Sequence, residues 1–250
     1  MTLENNLIKK CVCDNSKDFS EDIINDIPIK KCNVCGVIHQ VLSNFTELDL
    51  SDLYSKKYHR DFQNKITRTA YQDRYEHDRN ISKLRLLAYH DYIKPNMGGL
   101  DIGSSNSAFV HECIENNIRC TGLEPGENIG DPTLTIRGRL ETVDLLEDQY
   151  DFVTMHDAIE HMLDPLFSLQ KVSKILKNNG ILIVDLPDFH IPEGRHHWRP
   201  IEHLWYFTEL EFIKLLETTG FKVKSISKPI PGKLVFYAVV SELAELLSRE

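Results

Sequence analysis

Residues 99–126, GLDIGSSNSAFVHECIENNIRCTGLEPG, constrain the fold more than any other stretch of the chain. Leu100 and Ile102 flank Asp101 on a short apolar run, and Gly103 opens a turn of small residues. Ala108 to Asn117 carry helical spacing, and Arg119 to Leu123 make a second apolar run that ends at Glu124. Read by period, this is a buried strand, a tight loop, a helix and a second buried strand. Strands and helices alternate in the same way down the rest of the chain, which predicts a largely parallel sheet. Glu124 follows the loop by about twenty residues, where nucleotide-binding sheets place an acid on the ribose hydroxyls.

The loop itself narrows the nucleotide. A dinucleotide needs several glycines to let backbone approach its pyrophosphate, whereas here Ser104, Ser105, Asn106 and Ser107 follow a single Gly103. No lysine follows, which excludes a P-loop. Asp101, just ahead of the glycine, would repel a pyrophosphate but suits a cationic amine. S-adenosylmethionine carries such an amine together with a sulfonium.

On these residues the chain resembles the class I S-adenosylmethionine-dependent methyltransferases, whose first motif is an acid-x-Gly-x-Gly-x-Gly loop. Asp101 and Gly103 match it, and Ser105 and Ser107 stand where the later glycines would be. YDFVTMHDAIEHMLDP, residues 150–165, resembles the family's fourth strand with its Glu-His-x-x-Asp-Pro segment, and LKNNGILIVDLP, residues 176–187, resembles the fifth. The resemblance runs from about Lys94 to Val240. It implies an α/β fold with a doubly wound, mostly parallel, seven-stranded Rossmann-like sheet. It also implies that Gly103 and Ser104 form the cofactor loop, that Asp101 meets the methionine amine and that Glu124 holds the ribose. By the same resemblance the turn Gly138 to Leu140 lies beside the adenine, and His156 ends the fourth strand next to the transferred methyl. Serine is poorer than glycine at positive φ, so the loop is the element where this chain departs from the pattern.

The acceptor side is read from histidines. His156, Asp157, Glu160 and His161 follow the fourth strand, and Glu160 is expected only to cap or pair within the next helical turn. His161, with an unperturbed pKa of ~6.5, can accept a proton at neutral pH. The long segment DFHIPEGRHHWRPIEHLWYFT, residues 188–208, follows the fifth strand, and long loops in compact domains are usually functional. It resembles the Glu-His-Leu-x-Tyr-Phe segment of small-molecule and sugar methyltransferases, with Glu202 and His203 in the positions of the pair beside the acceptor. His203 is therefore the first choice of base, His161 the second, and Glu202 the carboxylate that holds the His203 tautomer. Alternatively, His203 only braces the loop. His196 and His197 are adjacent and point apart, which makes a poor chelate. Asp185 and Asp188 are a lesser candidate for a divalent ion that would acidify a hydroxyl.

Cysteines mark the amino-terminal part. In CNVCG, two residues separate Cys32 from Cys35 and a glycine follows, so both sulfurs can face one ion. The family branch with sugar acceptors often begins with two cysteine pairs holding zinc, which implies Cys11, Cys13, Cys32 and Cys35 as ligands. Cys11 and Cys13 have one intervening residue, which strains that half, and His39 could replace a thiolate. Free thiols in a vestigial module are the other reading. Cys113 and Cys120 are expected to be core residues.

Three segments follow: a zinc-binding module over residues 1–45, a helical connector over 46–93 with an apolar stripe at Ile81, Leu84, Leu87, Ala88 and Tyr92, and the methyltransferase domain over 94–250. A chain of 250 residues has room for them. Thr208 and Glu211 predict a capping box for a helix through Glu217, and a short helix is expected at the carboxyl terminus. The formal charge of −9, with basic residues interspersed among acids, argues against a nucleic-acid partner. No apolar run is long enough to span a membrane and the amino-terminal residues lack a charged-then-apolar pattern, so the chain is expected in the cytoplasm acting on a small molecule. The expected reaction is O-methylation of a small polar molecule, and the resemblance implies a sugar or sugar phosphate bound for a surface polysaccharide. N- or C-methylation, or a non-catalytic binding protein with a constricted loop, are the alternatives. The oligomeric state stays open.

Overall fold

The computed structural model describes residues 8, 10–24, 26–42, 74–126, 129–198, 202–229 and 231–241. The expected terminal helix and the first part of the 46–93 connector lie outside these residues. The elements in chain order are β1 (Phe19–Ile24), β2 (Ile27–Cys32), β3 (Ile38–Gln40), α1 (Arg74–Ala88), β4 (Gly98–Ile102), α2 (Ala108–Glu115), β5 (Arg119–Glu124), β6 (Thr135–Arg137) and β7 (Tyr150–His156). There follow a 3₁₀ turn (Ile159–His161), α3 (Pro165–Ile175), β8 (Leu176–Pro187), a second 3₁₀ turn (Pro192–His197), β9 (Trp205–Tyr206), α4 (Glu209–Thr218), β10 (Phe221–Ser227) and β11 (Lys233–Val240).

A seven-stranded sheet runs in the order β10-β11-β8-β7-β4-β5-β6. β4 pairs in parallel with both β5 and β7, and β10 pairs antiparallel with β11. The chain steps outward from β4 through β5 to β6 and then returns to β7 on the other side of β4. That reversal makes the carboxyl end of β4 the topological switch point, the place where open α/β sheets hold ligands. The strands are apolar because they are covered on both faces: Leu100, Phe152, Val153, Leu182, Ile183 and Val184 are all fully buried. This is the doubly wound, mostly parallel sheet that the resemblance implies.

A second sheet has the order β1-β2-β3-β9. Its fourth strand comes from the far end of the sequence, with Ile38 opposite Tyr206 and His39 opposite Trp205. Ile29, Ile38, Phe189 and Tyr206 form its core.

The described residues divide into two compact units, one drawn from 1–47, 156–174 and 182–250 and the other from 48–155 and 175–181. Among them no helix is long and apolar enough to cross a membrane.

Two helices depart from expectation. On α1 the apolar stripe is not the docked face, since Leu84 and Leu87 are 63 % and 69 % exposed. The buried residues are Arg79 and Ser82, because the Arg79 guanidinium pairs with Glu112 and Glu115 of α2. An ion-paired face has no apolar period to betray it. α3, for which Asp164 and Pro165 predict the start and Gly180 a last turn at Lys177 to Asn179, ends at Ile175, and the left-handed Asn179 lies within β8. Thr208 and Glu211 do form the reciprocal capping box of α4.

Candidate functional site

In the second unit, Asp101 lies next to last on β4 and is 3 % exposed, and its Oδ1 accepts a hydrogen bond from the buried Thr154 hydroxyl on β7 at 2.7 Å. Glu124 ends β5. Its Oε2 accepts the backbone N–H of Ser105 at 2.9 Å and its Oε1 that of Gly126 at 2.8 Å. Burial holds the Glu124 carboxyl above the usual carboxylate range, against the pull of those two amides. The acid thus ties the loop after β4 to the turn after β5 while keeping further lone pairs for a ligand hydroxyl.

The serines of the loop keep the geometry of the glycines they replace. Gly103, Ser105 and Ser107 all have left-handed backbone, at φ of 75°, 46° and 63°. Every second residue turns back, as the glycine motif requires, so the serines do not remove the turns. Ser107 is compensated through its side chain: its Oγ accepts the Asp131 N–H at 2.9 Å and lies 3.2 Å from Thr135 Oγ1. Ser104 is buried against Gly122, where a Cβ would come within 2.4 Å of the serine Oγ. Two acids at the ends of neighbouring parallel strands, joined by a loop of three left-handed turns, fit the amine, ribose and sulfonium of S-adenosylmethionine. Leu140, after β6, is 3 % exposed.

The first unit carries the histidines. His156 ends β7, and the next residue, Asp157, donates its N–H to the Asp185 carbonyl at 2.8 Å. The 3₁₀ turn Ile159–His161 then presents Glu160 inward with no exposed surface. His203 is 3 % exposed; its ring meets His161 edge-on at 4.7 Å between centroids and packs against Phe189 at 5.5 Å. The loop that bears it is clamped on both sides. Gln40 of β3 donates from Nε2 to the His203 carbonyl and to the Tyr206 hydroxyl, Leu204 N–H reaches the Glu160 carbonyl at 2.8 Å, and Trp205 Nε1–H reaches the Met162 carbonyl at 2.8 Å. The histidines expected to share a site are therefore brought together.

Glu160, His161 and His203 each present a ligand atom, all within 4.8 Å of one another. Glu202 precedes His203 in the loop, half-buried, and is not in that group. Glu160 is the residue that sequence reasoning passed over. It neither caps nor pairs as expected: neither carboxylate oxygen has a hydrogen-bond partner among the described residues. Burial, with Asp157 adding repulsion, pushes its carboxyl well up from the usual range. An acid set in the apolar turn AIEHML was the one available signal. Lys233, from β11, pairs with Asp157 and with Asp185, the latter at 3.3 Å.

The four amino-terminal cysteines converge too. Cys11 Sγ lies 3.4 Å from Cys35 Sγ and Cys13 Sγ 3.6 Å from Cys32 Sγ, and all four sulfurs fall within 4.8 Å of one another. Four thiolates about one zinc at ~2.3 Å would stand at similar separations. The one-residue gap between Cys11 and Cys13 is bridged without splaying the sulfurs. The thiol of Cys11 beside Cys35 draws the Cys35 pKa down to about 5. His39 is not among the ligands; it is buried on β3 between Phe19 and Trp205. Cys113 and Cys120 are buried, as core residues are.

Residues 70–226, more than half of the chain, match the methyltransferase-domain family. No curated protein matches the sequence. Among solved structures, a chain of the complex between the Haloferax volcanii Trm112 methyltransferase activator and a methyltransferase is 15% identical, covers 78% of this chain and 98% of that one, and superposes with a TM-score of 0.58. A SAM-dependent methyltransferase from Thermotoga maritima is 20% identical, covering 73% and 98%, with a TM-score of 0.53. One from Aquifex aeolicus is 16% identical, covering 64% and 89%, with a TM-score of 0.54.

Proposed function

The chain belongs to the methyltransferase-domain family, and from that premise we propose that it moves the methyl group of S-adenosylmethionine to a hydroxyl of a small polar acceptor, a sugar or sugar phosphate used in surface-polysaccharide synthesis. The cofactor supplies an already activated methyl, so the protein's own work is to hold the acceptor in line and deal with its proton. The cofactor would supply an electrophilic methyl carbon and take back the electron pair of the C–S bond, the acceptor oxygen would bond that carbon, and the hydroxyl proton would pass to the His203 imidazole.

Asp101 takes the methionine amine and Glu124 the ribose, with Gly103 and Ser104 framing the loop, Leu140 beside the adenine and His156 near the methionine end. The observation that carries the acceptor reading is the gathering of half-buried His161 with buried Glu160 and His203. His203 and His161 are assigned to the hydroxyl, with Glu202 as the carboxylate that orients His203. The likeness of the Glu202–His203 segment to sugar methyltransferases supports the acceptor class. Cys11, Cys13, Cys32 and Cys35 are assigned one structural zinc that organises residues 1–45 ahead of the 46–93 connector and the catalytic domain from 94. Free thiols of this kind suit a reducing compartment, which is the ground for proposing the cytoplasm.

The test joins calorimetric titration of S-adenosylmethionine with a mass-shift screen over sugars, sugar phosphates and nucleotide sugars. Glu124→Gln is expected to weaken cofactor binding by about 1.5–3 kcal/mol, as loss of a charge-assisted hydrogen bond does. His203→Ala is expected to leave that affinity intact and to lower turnover by ~10²–10⁴. Wild-type turnover in His203→Ala, or unaltered binding in both Asp101→Asn and Glu124→Gln, would sink these assignments.

A further inference from the structure

Glu160 is drawn into the interior of the first unit. Its carboxylate is wholly buried and, among the described residues, accepts no hydrogen bond. Among the described residues, the Lys233 ammonium is a cation whose charge reaches it, and it also serves Asp157 and Asp185. An ionised group taken out of water must be matched or neutralised, because the loss of hydration costs several kcal/mol per ion. Beside the carboxylate stand two imidazoles, whose ring nitrogens can donate to a cation.

We propose that Glu160, His161 and His203 together hold one divalent transition-metal ion. Their ligand atoms lie within 4.8 Å of one another, so small shifts bring all three to the ~2.0–2.2 Å bonds that nitrogen and carboxylate oxygen make to such ions. Two imidazoles and one carboxylate suit manganese, iron, cobalt or zinc rather than magnesium or calcium, which prefer all-oxygen sets. The backbone of two of these residues is anchored, the His203 carbonyl by Gln40 and the Glu160 carbonyl by Leu204. Three protein ligands leave positions open, and the chemistry that fills them is oxygen. An acceptor with two neighbouring oxygen donors, such as a sugar diol, would be oriented by the ion, and its hydroxyl would become more acidic on ligation. The inference rests on the reading of this cluster as the acceptor side of a methyltransferase, and it moves the ion from the Asp185 and Asp188 pair to the histidines. Asp185 is occupied by Lys233, and Asp188 accepts the His190 N–H at 3.3 Å.

The experiment is a cobalt(II) titration of the full-length, reduced protein followed by absorption. Cobalt bound by the cysteines shows sulfur-to-metal charge transfer in the near ultraviolet, and cobalt bound by nitrogen and oxygen does not. A second class of cobalt without that band is expected, one ion per chain, weakened at least ~10-fold by Glu160→Gln and by His203→Ala. The thiolate band in the same sample reports whether the first unit is folded, and the near-isosteric Glu160→Gln keeps the test valid if His203→Ala does not fold. Absence of the second class, or retention of its affinity in Glu160→Gln, overturns the site. Calorimetry with S-adenosylmethionine on the same samples separates the two readings. Cofactor binding without the second cobalt class removes only the ion, and failure to bind cofactor removes the methyltransferase reading whatever cobalt does.

Discussion

Ser105 and Ser107 occupy left-handed backbone for different returns, and substitution distinguishes them. Ser107 at φ 63° gains the Asp131 amide and the Thr135 hydroxyl as partners, and Ser105 at φ 46° gives its backbone N–H to Glu124. A non-glycine residue at positive φ costs on the order of 1–3 kcal/mol. Ser105→Gly is therefore expected to raise stability by about 1 kcal/mol in thermal or denaturant melts, with the loop amide kept. Ser107→Gly is expected to gain nothing, because the strain relieved is offset by an unsatisfied Asp131 N–H. Equal stabilisation by both would show that the Ser107 side-chain bonds carry no weight. At this scale the motif acids Asp101 and Glu124 were legible, because their chemistry is local to a strand end and a loop. Glu160 was not legible. Nothing in AIEHML says that the acid points inward, since that depends on a loop more than forty residues away that folds back over it.

Among the elements, β4 and β7 meet where their central side chains are most unequal. Gly99 lies opposite Phe152, and a Cβ on Gly99 would come within 2.0 Å of the Phe152 ring, itself fully buried. Gly99→Ala is expected to destabilise the sheet by about 1–3 kcal/mol through overpacking, and adding Phe152→Leu to restore part of that loss. A Gly99→Ala protein as stable as wild type in denaturant titration would mean that the ring has room to move. Legibility at this scale followed the range of the forces. The α4 capping box and the β4-loop-α2-β5 unit were readable because their signals lie within a few residues of each other. The docked face of α1 was misread because it is set by Arg79 reaching Glu112 and Glu115, and ion pairs between helices leave no period in either sequence.

For the molecule as a whole, pH acts on the small sheet through His39. Burial pulls its pKa down to about 4, below the ~6.5 of an unfolded histidine, and its Nδ1 stays with the Gln40 carbonyl at 2.9 Å. Between those values the unfolded chain binds more protons than the folded one. Stability from this group is thus complete above pH ~6.5, falls as pH drops through the window and levels off near pH 4. Both tryptophans of the chain, Trp198 and Trp205, lie in the first unit, so their fluorescence follows its unfolding. His39→Gln is expected to flatten the stability slope between pH 6.5 and 4 relative to wild type, and an unchanged slope would assign the acid sensitivity to other groups.

The pairing of β3 with β9 also sets an order of events during synthesis. Gln40 and its partners His203 and Tyr206 are separated by 163 and 166 residues. Closing so long a span is slow, and contacts of that kind form after local ones. While the ribosome makes the intervening chain, β3 has an edge of unsatisfied backbone groups that Leu204, Trp205 and Tyr206 will cover, the kind of edge that recruits foreign strands. The imidazole at position 203 is thereby put in place late, when the end of the chain returns to seal the strand laid down first.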